Sequence, residues 1–280
     1  MWEVAVRKSI FILSLVSTLA AGAAWAEPYK PNEAGVTMGH WHLNSRDIEA
    51  NKKIFVGLGG SAVKAGDFEI VRFPGVNVYL NQRAGAPPAS GGTVGSVVNH
   101  VGFLVPNVQD SVVKWKNAGV DVLPGGNGRT DQAFVVTADG LRVEILEDKN
   151  QKVPIRHHHL HFFVPETAIN DMQAWYGKLF GATFGTRGNF KTAYVPGAEL
   201  AFSKTTEPTV TTKGRVLDHI GFDVNNIEEF LKKAEAAGVK PAVPATKNQS
   251  NGVWLAFIAD PWGTYIEINQ RPNQTYLDQM

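Results

Sequence analysis

The sequence predicts an α+β fold of four repeated strand–helix–strand–strand–strand modules, taken two by two into two domains, and three observations carry that prediction. His40, His100, His159 and His219 recur about sixty residues apart, a period that marks an internally repeated architecture. Each histidine sits in a stretch of alternating character, as where Ile220, Phe222 and Val224 alternate with His219, Gly221 and Asp223, the pattern of a strand with one apolar face. A helical pattern follows each stretch and stops at a glycine, namely Gly59, Gly119, Gly181 and Gly238. The spacing from histidine to glycine is the same in modules one, two and four, and longer by about one helical turn in module three.

Composition narrows the function classes. The 280 residues are 44% hydrophobic and 19% charged, with 27 basic against 26 acidic side chains. Such a chain buries a core and offers no charged surface for nucleic acid or for an anionic membrane. The absence of cysteine excludes disulfides, thiolate metal ligands and a cysteine nucleophile. At the amino terminus, Arg7 and Lys8 precede an apolar run from Ile10 through Ala24, and Ala24-Trp25-Ala26 closes it with small residues where a signal peptidase reads. Residues 1–26 therefore resemble a cleavable secretory signal cut after Ala26, which predicts a periplasmic or secreted protein with no membrane attachment afterwards. An uncleaved anchor helix is disfavoured because the run falls short of the ~20 residues a comfortable span needs.

Taken in order, module one starts at Val36, with a helix over Asp47 to Val56 and strands over Phe68 to Phe73 and Val76 to Asn81. The Gly-, Pro- and Ala-rich stretch from Arg83 to Ser96 reads as a linker. Module two covers Val97 to Asp148, with strands over Ala133 to Ala138 and Leu141 to Leu146. The polar, unpatterned segment Lys149 to Pro154 is the expected domain boundary, giving domains 35–150 and 155–271 and a tail, 272–280. Module three, Ile155 to Lys204, and module four, ending in Trp254 to Gln270, are joined by the connector Thr205 to Gly214. Trp115, Trp175 and Tyr176 fall on predicted helices and are expected in the core.

The last strands of the modules, VNVYLNQR, LRVEILED, AELAFSKT and TYIEINQR, superpose without gaps and place Tyr79, Glu144, Ala201 and Glu267 in one column. Their apolar neighbours, such as Val143 with Ile145 and Ile266 with Ile268, take the opposite face. Both glutamates thus lie on the face that carries the histidines.

This pattern, with Asp260-Pro261-Trp262-Gly263 leading to Glu267, resembles the vicinal oxygen chelate superfamily, which includes glyoxalase I, bleomycin-resistance proteins and extradiol dioxygenases. The resemblance extends from about Val36 to Asn269. It implies that paired modules form a curved, mixed sheet with helices on the convex face and a divalent metal on the concave face, held from first and last strands. The implied ligands are His40, His100 and Glu144 in the first domain and His159, His219 and Glu267 in the second. Two histidines and one carboxylate leave coordination positions open and suit Fe(II), Mn(II), Ni(II) or Zn(II) better than Ca(II). His42 and His161 lie two residues beyond the primary histidines on the same face. They are candidates for acid–base catalysis, for a supporting hydrogen bond or for a fourth ligand, with pocket lining as the alternative.

The implied activity is that of a metal-dependent glyoxalase- or dioxygenase-type enzyme acting on a small substrate that chelates the metal through vicinal oxygens. The alternatives are a non-catalytic binding or sequestering protein of the bleomycin-resistance type and a relative whose metals only pin modules together. Two departures narrow the chemistry. Tyr79 and Ala201 stand where glyoxalase I would place further carboxylates, and Phe257 and Phe134 stand where extradiol dioxygenases carry a tyrosine. Modules in this superfamily pair within one chain or across a homodimer, and both arrangements remain open at this point.

Overall fold

The computed structural model describes residues 29–81 and 87–272, so the expected secretory segment 1–26 and the tail beyond residue 272 lie outside the described residues. Module one is β1 (Val36–Leu43), α1 (Ile48–Leu58), β2 (Ser61–Ala65), β3 (Phe68–Phe73) and β4 (Val76–Tyr79). Module two is β5 (Val98–Val105), α2 (Val108–Asn117), β6 (Val122–Pro124), β7 (Gln132–Val136) and β8 (Arg142–Glu147). Module three is β9 (Arg156–Val164), α3 (Ile169–Phe180), β10 (Thr183–Arg187), β11 (Phe190–Val195) and β12 (Ala198–Lys204). Module four is β13 (Leu217–Val224), α4 (Ile227–Ala236), β14 (Val243–Lys247), β15 (Trp254–Ala259) and β16 (Tyr265–Gln270).

Local chemistry sets the helix ends. Asp47, Asn107 and Asn226 are extended residues whose side chains accept from amides of the first helical turn. Module three has no such cap, and a 3-10 turn over Glu166–Ala168 leads into α3, absorbing its extra residues. Gly59, Gly119, Gly181 and Gly238 have φ of 110, 75, 66 and 82°, the left-handed conformation that ends a helix. The strands that sequence periodicity does not single out, β2, β6 and β14, are short sheet-edge strands with few buried side chains.

The modules do not pair in chain order. One sheet runs β14-β15-β16-β13-β1-β4-β3-β2 and joins modules one and four; the other runs β10-β11-β12-β9-β5-β8-β7-β6 and joins modules two and three. The division into 35–150 and 155–271 is corrected accordingly: the inner sheet is contiguous in sequence, and the outer sheet is built from the two ends of the chain. The connections explain this. β8 is parallel and β9 antiparallel to the β5 strand between them, so the end of β8 and the start of β9 share one end of the sheet. Two strand spacings, about 10 Å, separate them, and residues 148–155 span that gap as a tight link rather than a domain boundary. The segments 87–97 and 205–216, parts of the longer connections, run between the sheets. They zip together through Val97 N to Val210 O (3.0 Å), Val210 N to Gly95 O (3.0 Å) and Val216 N to Gly91 O (2.9 Å).

Both sheets and all four helices share one hydrophobic cluster. Trp41 of β1 meets Phe103 of β5 with ring centroids 5.3 Å apart, and Phe180 of α3 packs 4.7 Å from Phe222 of β13. Trp115 and Tyr176 are fully buried in it, and the half-buried Trp175 packs against it. Equivalent Pro-Gly turns stitch the sheets together: His157 N donates to Pro74 O and Met38 N to Pro196 O, both at 2.8 Å. Met38 and His157 occupy the same module position, so the molecule has an internal pseudo-twofold relating module one to three and two to four. Tyr176 of α3 adds a bond from its hydroxyl to Asp260 Oδ2 at 3.0 Å, tying module three to the Asp-Pro-Trp-Gly turn of module four.

His157 is a proton-sensitive part of this seam. Its ring lies 5.0 Å from Trp41, its Nδ1–H donates to Gly197 O at 2.7 Å, and burial pushes its imidazole down to about 3. A histidine in the unfolded chain takes up its proton near pH 6.5, so the unfolded state binds more protons below that pH. The contribution to stability is therefore complete above about pH 6.5 and is lost as pH falls toward about 3. His157→Gln, which keeps a donor for the carbonyl, is expected to flatten the fall of unfolding free energy between pH 6 and 4 by up to about 1.4 kcal/mol per pH unit. Denaturant titrations of the metal-free protein at pH 4, 5 and 6 check this; an unchanged slope would contradict it.

Candidate metal centres

Each sheet carries one cup, and the strand register shows how its residues meet. In the outer sheet β1 lies antiparallel to β13 with His40 opposite Gly221 and His42 opposite His219. Glu267 of β16 sits beside Gly221, and Tyr79 of β4 sits beside His42. In the inner sheet β9 lies antiparallel to β5 with His159 opposite Gly102 and His161 opposite His100, while Glu144 sits beside Gly102 and Ala201 beside His161. The two cups are copies of one plan.

The six residues singled out as ligands fall in these cups, but not in the groups expected. The expected sets were His40, His100, Glu144 and His159, His219, Glu267; the structure brings together His40, His219 and Glu267 in one cup and His159, His100 and Glu144 in the other. The exchange follows from the module pairing. Glu267 Oε2 is 2.9 Å from His219 Nε2 and 3.3 Å from His40 Nε2. Glu144 Oε2 is 2.9 Å from His159 Nε2 and 3.3 Å from His100 Nε2. His42 joins the first set and His161 the second, and in each group of four the ligand-capable atoms lie within 4.8 Å of one another.

The glycines opposite the histidines make this convergence possible. A Cβ at Gly221 would stand 2.0 Å from His40 Cε1, and one at Gly102 would stand 2.0 Å from His159 Cε1. The imidazoles of the odd modules therefore lie over bare backbone of the even strands, which carries their Nε2 atoms to the neighbouring glutamates. The even modules have glycine where the odd ones have His42 and His161 for this reason.

Supporting residues orient the candidate ligands, and sequence reasoning missed them. His219 Nδ1 is 2.7 Å from Asp218 Oδ1, and His100 Nδ1 is 3.0 Å from Asn99 Oδ1. Asn269 Nδ2 donates to Glu267 Oε1 at 2.7 Å, and Gln132 donates to Glu144 Oε1. Such partners fix the ring so that Nε2 faces the cup. The signal was present as the polar residue immediately before each even-module histidine.

Electrostatics matches a site built for a cation. Burial disfavours both carboxylates, yet His219 and His40 hold Glu267, and His100 and His159 hold Glu144, well below the usual carboxylate range. Burial pulls His219 down, but Asp218 and Glu267 prevail and raise it. His159 is pushed well below its ordinary value by burial, and its buried Nε2, although 2.9 Å from Glu144, has no hydrogen-bond alignment. Burial, then neighbouring histidines, bring His42 and His161 down to about 3, so both are neutral near pH 7. Buried carboxylates facing imidazole Nε2 atoms, one of them orphaned, fit a divalent ion of the kind two histidines and a glutamate bind.

The comparisons agree with this construction. Residues 161–268 match the model of the Glyoxalase/Bleomycin resistance protein/Dioxygenase superfamily. Glyoxalase I from Zea mays superposes with a TM-score of 0.66 at 15% identity, covering 87% of this chain and 95% of its own. A putative dioxygenase from Bacillus subtilis superposes with a TM-score of 0.63 at 15% identity, covering 90% of this chain and 88% of its own. No curated protein matches the sequence. At such identities the structural likeness speaks for the fold. Over residues 161–268 the chain is similar to that family, and over most of its length it shares the fold of glyoxalase I.

The cradle makes a direct prediction. Gly221→Ala is expected to displace His40 and Gly102→Ala to displace His159, each at a cost of about 1–3 kcal/mol from overpacking. Histidine side-chain NMR signals and denaturant midpoints of the two variants check this; an unmoved His40 resonance in Gly221→Ala would contradict the reading.

Proposed function

We propose that the chain is a divalent-metal-dependent enzyme of the glyoxalase/dioxygenase type acting on a small substrate that chelates the metal through vicinal oxygens. The observation that supports this most is the convergence of two histidine Nε2 atoms on a single carboxylate oxygen in each cup. His40, His219 and Glu267 would hold one ion and His100, His159 and Glu144 another, with Fe(II), Mn(II), Ni(II) and Zn(II) as the candidate metals. A bound ion would polarise the substrate oxygens it coordinates.

The chain's own residues would supply the proton chemistry. Tyr79 and Ala201 leave each cup with one carboxylate, so the base falls to His42 and His161. His42 Nε2–H donates to Asn81 O at 2.7 Å, which leaves the Nδ1 lone pair to take a proton. His161 has Ser203 Oγ 2.7 Å from Nε2 and faces the cup with Nδ1, 3.1 Å from His100 Nε2. Both cups are completed within one chain, so neither needs a second copy. With the signal-like segment before Glu27, this reading places the activity outside the cytoplasm.

Elemental analysis tests the proposal. Up to two divalent ions per chain are expected, His219→Ala and His100→Ala should each remove one, and occupancy should fall as acid protonates the ligand histidines. His161→Asn should retain the metal yet lower kcat by roughly 10²–10⁴. Native protein that is free of metal and turns over equally well after chelation would sink the enzyme reading, and metal binding with ligand retention but no turnover would favour the sequestering alternative.

A further inference from the structure

We infer that the inner cup recognises a substrate bearing an oxyanion, a carboxylate or phosphoryl group, through Arg187, whereas the outer cup does not. This rests on the metal-centre reading above and adds the substrate class and the residue that selects it.

The inner cup opens into a cavity of about 960 Å³ lined in part by His100, Glu144, His161, Arg187, Phe190 and Ser203. Arg187 ends β10 and is anchored from one side only: its Nε–H donates to Glu199 Oε1 at 2.6 Å. Its Nη2 is buried and has no hydrogen-bond partner. A buried guanidinium nitrogen without an acceptor is costly, and a carboxylate or phosphoryl oxygen is the group whose geometry it matches. Of the other cations on the cavity wall, Lys191 donates to Asn170 Oδ1 and Arg142 lies over the Phe134 ring at 4.0 Å, while the remaining two are ion-paired. Arg129 pairs with Asp131 at 2.8 Å, and Lys204 pairs with Glu166 at 3.2 Å.

The internal repeat supplies the control. In the outer cup the positions equivalent to Arg187 and Glu199 are Ala65 and Asn77, so donor and anchor are lost together. Ala201 of the inner cup leaves open the space that Tyr79 fills in the outer one. Charge differs in the same direction. His219 leans on the carboxylate of Asp218, but its counterpart His100 leans on the neutral amide of Asn99. A divalent ion in the outer cup would thus be balanced by Glu267 and, from behind His219, by Asp218, whereas in the inner cup it would be balanced by Glu144 alone. The inner cup is left with an uncompensated positive charge beside Arg187, and an anionic substrate balances it. On the outer cup's side, Arg271 is committed to Asp223 at 2.9 Å and to Tyr79, and Arg72, beside Asn77 in the register, is not without a partner.

The test uses the full chain, metal-loaded and chelated, titrated calorimetrically with inorganic phosphate and with malonate at constant ionic strength. One anion per chain is expected, and the tighter of the two probes identifies the headgroup. Arg187→Gln should weaken binding about tenfold or more, Arg187→Lys should retain part of it because the charge remains without the fork, and Arg129→Gln should change it less than about twofold, since that cation is already paired. Equal losses in Arg187→Gln and Arg129→Gln, or none in Arg187→Gln while its thermal midpoint matches wild type, would overturn the inference. Metal content is measured on the same samples. Absence of metal from wild type would defeat the metal-centre reading, while the chelated arm still reports on Arg187.

Discussion

The structure depends on one kind of strand pairing, the antiparallel contact of an odd module's first strand with an even module's first strand. That register places a histidine over a glycine, and the ring can then reach the glutamate on the strand beyond. Side chains on one strand alone point in parallel and cannot converge. Convergence needs a neighbour whose backbone is bare at the crossing point, and each cup meets that need with a single glycine.

Pairing also determines which parts of the chain are mutually dependent. The inner sheet, 97–204, uses neighbouring modules joined by a short link, whereas the outer sheet needs the first and last modules to meet. Closing so long a loop adds little beyond closing a shorter one, because the entropic cost grows only with the logarithm of length. The Pro-Gly turns, the zipped connectors and the Tyr176–Asp260 bond then give the inner sheet specific contacts against which the ends of the chain assemble.

Much of this was legible in the sequence. The period, the alternation around each histidine, the glycine stops and the column holding Glu144 and Glu267 are local signals, and local signals survive in one dimension. What was not legible is relational. Nothing in LDHIGF or NHVGF says which odd strand lies opposite, so the ligands were grouped by chain order. The segment Lys149–Pro154 was polar because it turns tightly at a sheet end, and that composition does not distinguish a turn from a boundary. His42 and His161 were visible against Gly221 and Gly102, but the steric reason for the alternation exists only once the facing ring is in place. Asp218 and Asn99 looked like ordinary polar strand residues until their contacts with the ligand rings showed their part.

The same relational view accounts for two cups that share a frame and differ in character. The positions that make the frame are repeated: histidine over glycine and glutamate beside it. The positions that vary are those whose side chains reach into the space a ligand would occupy or that set its charge: Tyr79 against Ala201, Ala65 against Arg187, Asp218 against Asn99. A substitution at a frame position would break the convergence by pushing a ring aside or leaving a carboxylate buried without its partner, and such a carboxylate is destabilising in a low-dielectric cup. A substitution at the second set changes what the cup attracts and leaves the sheet intact. Repetition of one module plan therefore lets one chain keep the same histidine–glutamate geometry twice while changing the electrostatics of each copy independently.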